Sequence, residues 1–75
     1  NTFMKEYVLY SSDYVVIKPD GDFLKFKDGE IIIYNVLKEA FEDCKKIKGK
    51  TACCTILSEE MQGRLLNSII NHNKK

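Results

Sequence analysis

Apolar and polar residues alternate with a period of two along the first half of the chain, which is typical of β-strands. We predict strands at residues 5–10, 14–18 and 23–27, rich in aromatic and β-branched side chains. Residues 31–34 form either a fourth strand or the first turn of a helix. Ser, Asp, Pro and Gly interrupt the pattern at residues 11–13, 19–22 and 28–29, where we predict turns.

In the second half, apolar residues recur three and four positions apart, which predicts two amphipathic helices. The first helix is expected after the N-cap Asn35 and before Gly49, with the apolar positions Leu37, Ala40, Phe41, Cys44 and Ile47. The second is expected after the N-cap Ser58, with the apolar positions Met61, Leu65, Leu66, Ile69 and Ile70. The uncharged residues 51–57 indicate a short strand or extended connection, and residues 71–75 a frayed end.

These elements predict a single domain over residues 1–75, of the α+β class. We expect a small antiparallel sheet of three to four N-terminal strands, with two C-terminal helices packed on one face. One short extra strand fits between the helices. The face under the helices is expected to carry Val8, Tyr10, Val15, Ile17, Leu24, Phe26 and the isoleucines at 31 and 33.

The opposite face of this sheet is unusually aromatic for a surface in contact with water. It is expected to carry Tyr7, Leu9, Tyr14, Val16, Phe23, Lys25, Lys27, Ile32 and Tyr34. An uncovered aromatic surface usually marks an interaction site. One helix on each face, or a register shifted by one residue, would instead bury these rings.

The composition excludes several classes of protein. The 75 residues include 44% hydrophobic residues, 12 Lys plus Arg and 11 Asp plus Glu, so the chain is neither disordered nor strongly basic. No apolar run is long enough to span a membrane. Three cysteines, with Cys53 and Cys54 adjacent, do not form a disulfide scaffold, which predicts a reducing, cytoplasmic location. In its Lys, Ile and Asn usage the chain resembles small proteins of low-GC bacteria, their phages or viruses.

Sequence spacing indicates no catalytic residue, metal site, cofactor or small-molecule substrate. Gly49, Lys50 and Thr51 resemble the end of a phosphate-binding loop, but its first glycine is absent. The potential zinc ligands Cys44, Cys53, Cys54 and His72 lack the usual paired spacing. The acidic residues Asp20, Asp22, Asp28 and Glu30 do not follow a calcium-loop pattern and are typical of turns.

The leading hypothesis is therefore a non-enzymatic protein-interaction module, acting as an adaptor, inhibitor or homodimer. The expected anchors are Tyr7, Tyr14, Phe23 and Tyr34, with Lys25 and Lys27 at the rim. The alternative is a nucleic-acid-binding domain that uses Lys45, Lys46, Lys48 and Lys50, or base stacking on the sheet. Residues 35–75 carry a formal charge of +3 and residues 1–34 a charge of −2, which is either an electrostatic footprint for nucleic acid or, as we favour, ordinary positive charge at a helix C-terminus.

Overall fold

Two strands, two α-helices and a short 3-10 turn make up the regular structure of the residues that the structure describes. The computed structural model describes residues 9–73. In chain order its elements are β1 (Tyr14–Ile17), α1 (Leu37–Ile47), β2 (Lys50–Cys53), a 3-10 turn (Cys54–Ile56) and α2 (Glu59–Asn73). The α+β class is confirmed, but the described residues contain two strands, rather than three to four N-terminal ones. Of the predicted strand at 5–10, residues 5–8 lie outside the described range and residues 9–10 are not in a strand.

The sheet is an antiparallel pair of β1 and β2, with Tyr14 opposite Cys53 and Ile17 opposite Lys50. Thus β2 is the short strand expected between the two helices. Along its other edge β1 forms two isolated bridges, between Ile17 and Phe23 and between Tyr14 and Tyr34. The predicted strands at 23–27 and 31–34 are therefore reduced to isolated bridges, and a third bridge, between Lys25 and Ile31, joins the two segments to each other.

These two segments share one edge of β1, and this explains why neither forms a full ladder. The Leu24 N–H donates to the Val16 carbonyl at 2.8 Å. Two residues later, the Phe26 N–H donates to the Glu30 carbonyl, so the pairing with β1 ends before it. The position opposite Tyr14 is occupied by Tyr34, and the two residues exchange two backbone hydrogen bonds, at 2.8 and 2.9 Å. A strand of four residues is too short to pair fully with both segments.

Two turns of similar chemistry connect these segments, where the sequence predicts turns. Gly21 and Gly29 have φ angles of +89° and +91°, a conformation that glycine adopts without steric cost. Asp20 and Asp28 precede them, and each accepts a hydrogen bond at 2.9 Å from the backbone N–H two residues later. Such aspartate caps are characteristic of tight turns.

The two helices cover opposite faces of the sheet, so the prediction that both pack on one face is wrong. Val15 and Val16 are both fully buried, and successive strand residues point to opposite faces. Val16 packs with the α1 residues Ala40, Cys44 and Ile47. Val15 packs with the α2 residues Met61, Leu65 and Ile69.

The helix ends agree only in part with the sequence prediction. Ser58 is confirmed as the start of α2, because its Oγ accepts a hydrogen bond from the Met61 N–H at 3.2 Å. The N-cap of α1 is Val36 rather than Asn35, and it makes no side-chain capping bond. Lys48, not Gly49, has the left-handed conformation at the end of α1, with φ of 56°. Residues 71–73 belong to α2 instead of a frayed end.

Two buried acidic protons make the fold sensitive to alkaline pH. Burial raises the pKa of the Cys54 thiol from 9.0 to about 11. Burial and the hydrogen bond to Asp43 also raise the pKa of the Tyr34 hydroxyl above its ordinary value of 10.0. A raised pKa means that the folded state disfavours the anion, so stability is complete below the unfolded-state pKa and falls as the pH rises.

We expect the free energy of unfolding to fall by about 2 kcal/mol between about pH 8 and pH 11 through Cys54 alone. Tyr34 adds to the loss above about pH 10. Urea unfolding followed by circular dichroism at several pH values, with a thiol reductant, measures the slope of the free energy of unfolding against pH. Cys54→Ala should flatten it, whereas Cys53→Ala, at a half-buried thiol, should not. Equal slopes in the two variants would contradict the assignment.

Candidate functional site

The aromatic sheet face predicted as a docking surface is covered by the protein itself. Phe23 is 1% exposed and packs with Val15 and Ile31 on the α2 side of the sheet. Tyr34 is 7% exposed and packs with Val16 on the α1 side. The expectation of an open face with these two rings is therefore wrong.

The register of the first hairpin explains the misplacement of Phe23. Phe23 lies opposite Ile17, and residues opposite each other on antiparallel strands share a face. Because Ile17 shares its face with Val15, Phe23 also points toward α2. The prediction placed Phe23 on the other face, and a one-residue change in register reverses every side chain.

The remaining predicted anchors do not form one surface either. Tyr14 is half-buried against the α1 side of the core. Lys25 is exposed, and its Nζ donates to Asp22 at 3.3 Å, while Lys27 is exposed in the second turn. Tyr7 lies outside the described residues.

The buried ring of Tyr34 instead fixes the rotation of α1. Its hydroxyl donates to the Asp43 carboxylate at 2.6 Å, and Asp43 also lies 3.6 Å from the Lys46 ammonium. Ala40 is fully buried on the same side of the helix. Because this side is held against the sheet, the adjacent side of α1, which carries Leu37 and Phe41, faces solvent.

An apolar stripe occupies that outward side. It consists of Leu37 and Phe41, which are 38% and 50% exposed, whereas Val36, 49% exposed, is the N-cap and lies about 100° from Leu37 around the helix axis. Leu37 and Phe41 are four residues apart, so their side chains are neighbours on the helix surface. The sequence prediction counted both as part of the helix face that packs against the sheet, and this is wrong because the two-stranded sheet covers only Ala40, Cys44 and Ile47.

A surface groove of about 480 Å³ runs beside the stripe. We call it the α1 groove, and it is lined by Lys38, Phe41, Glu42, Cys44, Lys45, Lys48 and Gly49. Three lysines against one glutamate give this lining a formal charge of +2. The site therefore combines an exposed aromatic ring with a positively charged border.

The four lysines of the nucleic-acid hypothesis are divided between different surfaces. Lys45 and Lys48 line the α1 groove, whereas Lys46 and Lys50 do not. Lys45 and Lys46 are successive helical residues and lie about 100° apart around the axis. Lys46 also forms an ion pair with Asp43 at 3.6 Å, which lowers its value as a phosphate contact.

Sequence reasoning missed this site, although the α1 pattern contained a signal for it. Helices that pack on one sheet face need an apolar stripe of limited width. The apolar positions of this segment also include Val36 and Leu37 at its start, which widens the stripe beyond what two strands cover. An apolar stripe wider than its covering surface indicates that part of it faces solvent.

Comparison with known proteins found no matching family model, no matching curated protein and no matching solved structure. The functional argument therefore depends on the geometry of this chain. Among the residues that the structure describes, no helix is long and apolar enough to cross a membrane.

Proposed function

We propose that the protein is a non-enzymatic interaction module that binds a segment of a partner protein in the α1 groove. The exposed neighbours Leu37 and Phe41 support this proposal, because they place two apolar side chains side by side in solvent. Contiguous exposed apolar surface of this kind marks interaction sites more often than isolated exposed residues do. Phe41 also has the size and rigidity expected of an anchor residue.

The charge of the groove determines the chemistry of the partner. Lys38, Lys45 and Lys48 line the groove together with Phe41, so an acidic segment is favoured over a basic one. The bound segment should contribute an apolar side chain against Phe41 and carboxylates toward the lysines. Binding would then combine burial at the centre with charge pairing at the rim, as in most protein interfaces.

The apolar stripe favours a protein partner over a nucleic acid. A phosphate backbone is recognised mainly by cationic and hydrogen-bonding groups, and Val36 and Leu37 provide neither. Only two of the four lysines of the earlier hypothesis face the groove.

Selection from a random peptide display library tests the proposal. We expect enriched peptides to combine apolar and acidic residues. Phe41→Ser should weaken their binding by about thirtyfold, which corresponds to the loss of about 2 kcal/mol for an anchor residue. Phe26→Ser is the matched control, because Phe26 is 54% exposed and lies outside the groove.

Three outcomes would contradict the proposal. Selected peptides that bind Phe41→Ser and Phe26→Ser equally well would place the docking surface elsewhere. Oligonucleotide binding that falls steeply with salt, and that Lys45→Glu abolishes while Phe41→Ser does not, would favour the nucleic-acid hypothesis. A dimeric mass in light scattering that Phe41→Ser converts to a monomer would make a second copy the occupant.

A further inference from the structure

Two carboxylates and the single histidine of the chain meet at one end of α2. His72 Nε2 lies 3.3 Å from Glu30 Oε2 and 3.6 Å from Asp28 Oδ2. One ligand atom from each of the three residues lies within 4.8 Å of the others. The carboxylates come from the second hairpin turn and the imidazole from the last turn of α2, so the fold brings distant parts of the sequence together.

We propose that Asp28, Glu30 and His72 bind a divalent transition-metal ion of the zinc type. Zinc bonds to imidazole nitrogen and carboxylate oxygen are about 2.0–2.2 Å long, so tetrahedral ligand atoms lie about 3.4 Å apart. The two distances from His72 Nε2 match this separation. Three protein ligands and one water molecule would give the four-coordinate arrangement that zinc adopts in catalytic sites.

The backbone already fixes part of this arrangement. Asp28 Oδ1 accepts the Glu30 N–H at 2.9 Å, which holds the turn and leaves Oδ2 as the oxygen nearest His72. His72 is half-buried on a regular helix, so its ring is more restrained than one in a frayed end. Both carboxylates are exposed, and an ion can enter from solvent.

The first hairpin turn shows what distinguishes the proposed site. There α2 supplies Arg64, whose guanidinium donates to Asp22 at 3.1 Å and lies over the Phe23 ring. Arg64 and His72 are eight residues apart, on the same side of the helix, and each contacts one turn. Arginine cannot be a metal ligand at ordinary pH, whereas imidazole is a common one. The first turn is thus a natural control for the second.

Zinc titration followed by NMR of the imidazole nitrogens tests the site directly, because His72 is the only histidine. We expect a saturable change at Nε2 with one ion per chain, and a rise in Tm with zinc because the ion binds the folded state. Asp28→Asn and Glu30→Gln should each weaken binding at least about tenfold, since even indirect changes around a metal cost about 10–100-fold. Asp20→Asn, in the first turn, should leave it unchanged.

The three free thiols require a separate control, because cysteine also binds zinc. Cobalt in place of zinc gives no thiolate charge-transfer absorption if the ligands are nitrogen and oxygen. A thiolate band, an unchanged His72 signal, or equal weakening by Asp20→Asn and Asp28→Asn would overturn the proposal. None of the three proposed ligands lines the α1 groove, so this result and the peptide result are independent.

Discussion

Phe23→Ala is expected to lower the free energy of unfolding by about 3–5 kcal/mol. Phe23 is among the largest fully buried side chains of the described residues, and it packs in one cluster with Val15 and Leu65. Its removal would leave a cavity between the sheet and α2. A chain of 75 residues has a total stability of roughly 4–11 kcal/mol, so the expected loss is a large fraction of the total. Urea unfolding monitored by circular dichroism measures the loss.

Phe26→Ala provides the matched control for Phe23→Ala. The two phenylalanines are three residues apart, but Phe26 is 54% exposed. We expect its truncation to change the free energy of unfolding by less than about 1 kcal/mol, as is usual for surface residues. Similar losses in both variants, or a stable Phe23→Ala protein, would contradict the assignment of Phe23 to the core. A stable variant would also restore the hypothesis of an open aromatic sheet.

Elements with strong local signals were predictable from the sequence. The regular 3–4 spacing defines both helices, and Ser58 caps α2 as its type and position indicate. Gly21 and Gly29 occupy the positive-φ positions that tight turns require. Each of these features depends on a few residues that are close in sequence, so it can be predicted from the sequence alone.

The placement of the helices depends on contacts that local patterns do not determine. A signal was nevertheless present in β1, where Val15 and Val16 follow each other without a polar residue between them. A strand that is apolar on both sides is covered on both sides, so one helix per face follows. The number of residues in the turn before Phe23 then determines which face Phe23 occupies. The sequence prediction placed this segment in a register that is wrong by one residue relative to β1.

Residue spacing locates neither candidate site, although the width of the apolar stripe of α1 indicates that part of that helix face is exposed to solvent. The α1 groove exists because the Tyr34–Asp43 hydrogen bond orients the helix, and this contact joins two elements. In the second site, more than forty residues separate His72 from Asp28 and Glu30. A ligand set assembled from a turn and a distant helix has no spacing rule, unlike the paired cysteines of most zinc sites.

Gly49→Ala is expected to lower the free energy of unfolding by about 3 kcal/mol, at the upper end of the usual cost of overpacking. A β-carbon at this position would overlap the backbone carbonyl of Ile17. It would also lie 3.3 Å from Cδ1 of Ile47. The carbonyl belongs to β1, which cannot move without disturbing its pairing with β2, so the clash cannot be relieved by rotating a side chain. Thermal and urea unfolding of the purified variant measure the effect.

Gly63→Ala should have the opposite sign and is the matched control. Gly63 lies inside α2, where a β-carbon would have no atom within 4 Å. Alanine in a helix interior is favoured over glycine by about 1 kcal/mol, so this variant should be more stable than the parent protein. The two substitutions add the same methyl group, and their difference therefore isolates the close approach of Gly49 to β1. If Gly49→Ala were as stable as Gly63→Ala, the chain leaving α1 would not lie against Ile17 as described.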